Sequence, residues 1–255
     1  MFRKIKTMAL LGMFLFAASC SKYVDKTDSG ATPVDYVNPY MGNISHLLVP
    51  TFPTIHLPNS MLRVYPERKD YTSDLIAGLP VIVTSHRGNS AFNLSPIGGD
   101  YTKLVPVVNS TCDHEEMAPH RYSVVLDEEN IEVDYAPSHQ SGIYSIDFEE
   151  DVLNKLIINT RNGQLEAYEN GVKGWQLIGS GPTKVYLYLE TEQPVSNIGA
   201  LDKESSSLNY KTKSVEGQNE ALVLEFDAKK LNLRYGISFI SEDQAKKNLR
   251  REINT

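Results

Sequence analysis

The densest group of chemically capable side chains is Thr111-Cys112-Asp113-His114-Glu115-Glu116, with four residue types able to bind a metal. Neighbouring residues on one loop do not converge on a single ion, and no second His or Cys stands at a ligand spacing. The stretch therefore reads as an acidic, solvated loop, with Cys112 a small apolar filler rather than a nucleophile. His46 and His56 bracket the apolar, proline-broken run 47–55. Loops of that kind on a rigid scaffold line binding sites, although two histidines packed on the scaffold fit the same pattern. Thr84-Ser85-His86-Arg87-Gly88-Asn89 places a run of donors directly after a strand. That suits recognition of sugar hydroxyls, and a turn with ordinary polar caps accounts for it equally. The single tryptophan, Trp175, lies in Gly171-Val172-Lys173-Gly174-Trp175; its ring either stacks on a sugar or buries in the core. No Ser-His-Asp order, phosphate loop or dinucleotide fingerprint is present. Glycoside hydrolysis needs two facing carboxylates, and sequence alone cannot pair any two of 32 acids. The residues thus nominate His86, Arg87, His46 and Trp175 for substrate binding, with no catalytic residue and no metal set.

The elements that must position them are strands. Short alternating or β-branched runs follow one another at Met61–Tyr65, Pro80–Ser85, Arg121–Leu126, Ile131–Tyr135, Gly142–Phe148, Leu153–Asn159, Thr183–Glu190, Ala221–Phe226 and Asn232–Ile240. Ile143, Ser145 and Asp147 alternate with Tyr144, Ile146 and Phe148, the period of two that one buried face requires. Asp127-Glu128-Glu129-Asn130 and Arg161-Asn162-Gly163 read as hairpin turns. No apolar stripe of helical period precedes residue 241, so the fold class is all-β, a large antiparallel sandwich. Ser241-Glu242-Asp243-Gln244 is a capping box, after which Ala245, Leu249 and Ile253 recur on one helical face. The spacing predicts a helix whose stripe either folds back onto the sandwich or packs on a following domain, and the missing glycine C-cap or other stop signal favours the second.

Residues 1–19 stand apart. Arg3, Lys4 and Lys6 precede the apolar run Met8–Ala18, which ends in small residues before Cys20. Eleven apolar residues fall short of the ~20 a membrane span needs, so the segment reads as a secretory signal. Ala17-Ala18-Ser19-Cys20 is similar to a bacterial lipoprotein box, with Cys20 as the lipidated residue. Residues 20–33 then form a polar, flexible tether, and 34–240 form the sandwich. The location this implies is the bacterial cell envelope, lipid-anchored to a membrane. With 25 basic against 32 acidic residues and a net charge of −7, the chain has no basic stripe beyond its start. Nucleic acid is excluded as its main partner.

Asp35-Tyr36-Val37-Asn38-Pro39-Tyr40-Met41-Gly42, followed by His46 and Thr51-Phe52-Pro53, resembles the opening of glycoside hydrolase family 92. Ala118-Pro119-His120-Arg121-Tyr122-Ser123-Val124-Val125-Leu126 and the passage from Tyr235 through Glu252 are similar to later segments of that family in the same order. Those proteins are largely calcium-dependent exo-α-mannosidases, abundant in Bacteroides-type gut bacteria. The resemblance implies a galactose-mutarotase-like supersandwich, with residues 241–255 starting a linker helix toward a helical C-terminal domain. In the family that domain carries the catalytic carboxylates and the calcium ligands, so this chain is expected to hold neither and to be inactive alone. Leu57-Pro58-Asn59-Ser60-Met61 departs from the family's Pro-Phe-Gly-Met. Ala77–Gly88 departs from its histidine-rich segment near the sugar. The implied partners are a mannose-containing glycan and the helical domain. Two rival readings are a stand-alone surface lipoprotein that binds carbohydrate and a sugar mutarotase.

Overall fold

The computed structural model describes residues 30–42, 52–68, 73–85, 90–99, 103–149 and 153–254. Residues 1–36 form one unit, in which Pro33–Tyr36 make a 3-10 turn closed by Asp35, whose carboxylate accepts from Thr32 N at 2.7 Å. Residues 37–255 form the body. Its described strands are β1 (Leu75–Ala77), β2 (Leu79–Val83), β3 (Ser90–Ile97), β4 (Asn109–Ala118), β5 (Arg121–Leu126), β6 (Ile131–Pro137) and β7 (Ser141–Asp147). They continue with β8 (Leu153–Tyr168), β9 (Gly171–Leu177), β10 (Lys184–Thr191), β11 (Asn197–Asp202), β12 (Ser207–Asn209), β13 (Ser214–Asp227) and β14 (Lys230–Ser238), before helix α1 (Glu242–Glu252). All pair antiparallel, twelve of them in the order β1-β4-β5-β6-β7-β14-β10-β9-β8-β13-β11-β12, while β2 pairs β3 and β3 pairs β8.

The all-β sandwich follows from one device. Along a single edge, β8 pairs β3 through residues 155–159 and β9 through 163–168, while β13 runs along its other edge. The two long strands therefore belong to both layers. They pass from one to the other where Gly163 faces Gly217, the latter at φ +146°. A Cβ on Gly163 would stand 2.0 Å from the Trp175 carbonyl oxygen, so only glycine admits this approach. Arg161-Asn162-Gly163 is thus the interior of β8, and the expected hairpin turn there is corrected to a layer crossing.

Alternation sorts the side chains between cores. Leu156, Ile158, Leu222 and Leu224 enter the main core between the layers, while Ile157, Ala221 and Val223 enter a second cluster with Ile97, Leu104 and Leu201. Three buried tyrosines fasten the layers together. Tyr144 Oη donates to Pro80 O at 3.1 Å, Tyr235 Oη donates to Val81 O at 2.8 Å, and Tyr135 and Tyr235 hydroxyls meet at 3.1 Å.

Three further expectations are corrected. The supposed acidic loop 111–116 is strand β4, which slips register between Asp113 and Glu116 with His114 left-handed at φ +51°. Met61–Tyr65 makes no strand, only a bridge from Val64 to Ile55. The third concerns α1. Ser241 Oγ caps Gln244 N at 3.1 Å as expected, but the Gln244 amide turns forward to Asn248 Oδ1 at 2.9 Å instead of back to the cap. Ala245 and Leu249 are fully buried against Tyr186 and Tyr188 of this same sandwich, with Ile253 packed beside them. Their stripe is covered by β10 and β14.

Charges lock that contact. Arg250 reaches both oxygens of the buried Glu190 at 2.5 and 2.6 Å, and Arg234 Nε donates to Oε1 at 2.6 Å. Burial alone would raise the Glu190 carboxyl, but hydrogen bonds from Arg250 and Arg234 outweigh it and hold the carboxyl below its usual value. A depressed carboxyl stabilises the fold above the unfolded value of about 4.3, and that stabilisation disappears as pH falls through the folded value. Protection of the α1 amides, corrected for intrinsic exchange, is therefore expected to be constant from pH 7 to 5 and to fall below pH 4. The Glu190→Gln variant should show less of this acid dependence, and an unchanged profile would discount the clamp.

Candidate functional site

The segment 37–42 forms a tight turn because Asn38 serves it twice. Its Oδ1 accepts from Tyr40 N at 2.9 Å and its carbonyl accepts from Met41 N at 3.2 Å, with Gly42 following at φ +90°. The turn presents Pro39 and Met41 to a cleft of about 220 Å³, whose other walls are Phe52, Thr54, Arg63, Tyr65 and Ser85. Phe52 and Tyr65 stack with ring centroids 4.8 Å apart and planes 5° from parallel. Tyr65 is 2 % exposed, and its hydroxyl is buried with no hydrogen-bond partner. Burial first, then the nearby Glu67 charge, pushes this phenol up to about 12. It is a permanent donor at neutral pH.

Behind the cleft stands a buried polar network. Glu67, on the same alternating run as Arg63 and Tyr65, receives both Arg161 and Ser90 Oγ, and accepts from Asn93 Nδ2 at 3.2 Å. Gln176 joins three strands: its Oε1 accepts from Phe92 N at 2.9 Å and Arg161 N at 3.1 Å, and its Nε2 donates to Ser90 O at 3.2 Å. These bonds fix the cleft wall to β3, β8 and β9.

Of the residues nominated from sequence, His46, His86 and Arg87 lie outside the described residues, as does Cys20. Ser85, their neighbour in the same donor run, lines the cleft. Trp175 does not. On β9 it points to the face opposite Gln176, half-buried, with Nε1 donating to Gln164 Oε1 at 2.9 Å and Lys184 Nζ 3.4 Å from its ring centroid. One face of the indole thus holds an ammonium. His56 Nε2 pairs with Ser60 O at 3.0 Å and serves a turn. The residues that sequence reasoning missed are Arg63, Tyr65, Phe52, Thr54 and Met41. The one available signal was the alternation Arg63-x-Tyr65-x-Glu67 in a run read only as a strand.

A second cluster surrounds Cys112. Arg68 pairs with Glu115, Tyr122 Oη donates to Glu115 Oε1 at 3.0 Å, and Cys112 Sγ donates to Asp74 O at 3.2 Å. Burial raises the thiol to about 11, overcoming the pull of Arg68, so it carries no thiolate at neutral pH. No group of three or more His, Cys, Asp or Glu side chains among the described residues is placed to hold a metal ion. Calcium takes six to eight oxygens, whereas Glu67, Glu115 and Glu190 each already serve arginine. Those three carboxylates are thus committed to ion pairs within the fold.

No curated protein matches the chain by sequence. Among solved structures it is similar to the family GH92 inverting mannosidase BT2199 of Bacteroides thetaiotaomicron VPI-5482. The TM-score is 0.76 at 23 % identity, over 87 % of this chain and 33 % of that one. It is also similar to the family GH92 α-mannosidase BT3965 of Bacteroides thetaiotaomicron, with TM-score 0.73 and 19 % identity over 86 % and 35 % of the two chains. The chain thus spans about a third of the length of these relatives. The pattern of the glycosyl hydrolase family 92 N-terminal domain matches residues 36–238, from the Asn38 turn that walls the cleft to the end of β14. The chain belongs to that family and corresponds to its N-terminal domain.

Proposed function

We propose that this sandwich is the substrate-contacting lobe of an α-mannosidase-type glycosidase and that the 220 Å³ cleft receives part of a mannose-containing glycan. One observation carries the reading. The turn 37–42, close to the start of the family match, and Ser85 wall a single cleft whose lining includes Tyr65, a residue with a buried hydroxyl that has no hydrogen-bond partner. Such a site would orient a sugar through Arg63, Thr54 and the pocket walls, and no carboxylate is among its described lining residues. The acid and base of an inverting hydrolysis, about 6.5–9.5 Å apart, and any calcium would belong to a helical companion domain. A lipid on Cys20 would hold the assembly in the bacterial cell envelope. A second reading, a surface lipoprotein that captures glycans by itself, is favoured by α1, which buries its stripe on its own sandwich.

The test is a titration of the isotope-labelled chain with methyl α-mannoside. Binding in the millimolar range is expected, with shifts concentrated at Thr54, Arg63, Tyr65 and Ser85, and no release of 4-nitrophenol from the aryl mannoside with or without calcium. Shifts confined to Trp175 and its neighbours would move the site, and hydrolysis by this chain alone would overturn the division of labour.

A further inference from the structure

A second cavity lies away from the cleft, between the β8–β9 hairpin and the segment that leads into β11. Its volume is about 350 Å³, within the range of small-molecule sites. The floor is apolar: Ala167, Tyr168 and Val195 are half-buried and Ile198 is buried. The rim is polar and exposed, made by Glu169, Ser196, Asn197 and Lys213. None of these residues is among the described lining of the cleft. Arg161, which backs the cleft through Glu67, precedes Ala167 on β8 by about 20 Å along the strand.

The fold fixes the walls. Ala167 N donates to Lys213 O at 2.8 Å, and Lys213 Nζ donates to Ile198 O at 2.5 Å, which ties β8 to β11. Tyr168 Oη donates to Leu189 O at 2.8 Å, and its ring stacks on Tyr188 with centroids 5.1 Å apart. The ring is thus held in place before any ligand arrives, and binding costs it little side-chain freedom. On the rim, the Glu169 carboxylate accepts, Ser196 and Asn197 both donate and accept, and the Lys213 ammonium keeps two hydrogens to donate. An anion would meet Glu169 and a cation would meet Lys213, so the rim favours neither. The hydroxyls of a neutral polyol find acceptors and donors together, while its apolar face lies on the tyrosine ring. We infer that this cavity is a second carbohydrate site, which takes an uncharged sugar unit apart from the cleft. It goes beyond the reading of the cleft and does not depend on it.

The experiment titrates the isotope-labelled chain with the methyl β-glycosides of glucose, galactose and N-acetylglucosamine, at low salt and at about 0.5 M salt. At least one is expected to shift Ala167, Tyr168, Asn197 and Ile198, with the same affinity at both salt concentrations because no net charge is paired. Asn197→Ala should weaken this binding several-fold, the size of one hydrogen bond. Tyr168→Leu should weaken it about tenfold through loss of the ring, and Tyr168→Phe should retain it. Asn197 is exposed, so its variant keeps the site open to test should Tyr168→Leu fold poorly. No shift at these four positions with any of the three sugars, or full binding by Asn197→Ala and Tyr168→Leu, would overturn the second site. The cleft reading would stand in that case, since the methyl α-mannoside titration decides it through Thr54 and Ser85. An affinity that falls steeply with salt would overturn the uncharged ligand.

Discussion

Leu249→Ala is expected to free α1 from the sandwich and to cost about 2–4 kcal/mol, the range of a Leu truncation that leaves a cavity. Leu249 and Ala245 are fully buried against Tyr186 and Tyr188, and the helix crosses β14 where Gly236 leaves room. A Cβ at Gly236 would lie 2.2 Å from Ala245 O, so the backbones touch. Around this contact Asn248 Nδ2 donates to Ile237 O at 2.8 Å, and Glu252 Oε2 accepts from Gln140 N at 2.7 Å. An 11-residue helix is marginal in water by itself, so its order derives from this docking. Amide exchange should find α1 as protected as β10 in the parent chain. In Leu249→Ala the helix should exchange orders of magnitude faster while β10 changes little. A helix that already exchanges fast in the parent would contradict the docking described here.

That docking shows what sequence reading reaches and where it stops. The stripe Ala245, Leu249, Ile253 and the serine cap are local, so the helix was legible; the surface that covers it lies some 60 residues earlier in the chain, on β10, and was not. The same division runs through the sheet. In β6, Ile131, Val133 and Tyr135 are buried while their neighbours are exposed, which gives a clean period of two. β3 is buried along its whole length on both faces, so Ser90, Asn93 and Ser95 interrupt its apolar run and hide it. They are tolerable because each bonds within the network or to a neighbouring backbone group. β9 was hidden by Gly171 and Gly174, which read as loop residues but stand where neighbouring backbones approach within 2.0 Å of a would-be Cβ. Acidic β4 lies toward the edge of the sheet, where charge keeps a strand from pairing with another molecule. The family resemblance rested partly on Asn38-Pro39-Tyr40-Met41 but gave the segment no role, and its place beside the cleft, through Pro39 and Met41, came only with the structure. The cleft's other wall was not legible, since Arg63 and Tyr65 gain meaning only beside Glu67, whose partners lie 23, 26 and 94 residues away.

Within that network, Arg161→Ala is expected to cost about 3 kcal/mol and Glu67→Gln only about 1 kcal/mol. The order follows from burial. Glu67 is 6 % exposed, whereas the Arg161 side chain is 44 % exposed. Removing the arginine strands a carboxylate inside the protein with only Ser90 and Asn93 to serve it. The figure sits at the low end for a broken buried pair because water already reaches one partner. Glutamine at 67 keeps the volume and can still accept from Ser90 or Asn93, while Arg161 turns to solvent and loses little. Urea unfolding of the two variants gives the comparison directly, provided the slopes match that of the parent chain. The double variant should cost less than the sum of the singles, since the charge that Arg161→Ala strands is then absent. Equal or reversed costs would mean that Glu67 is not the buried member that Arg161 sustains, and the rigid backing assigned to the cleft would fall with it.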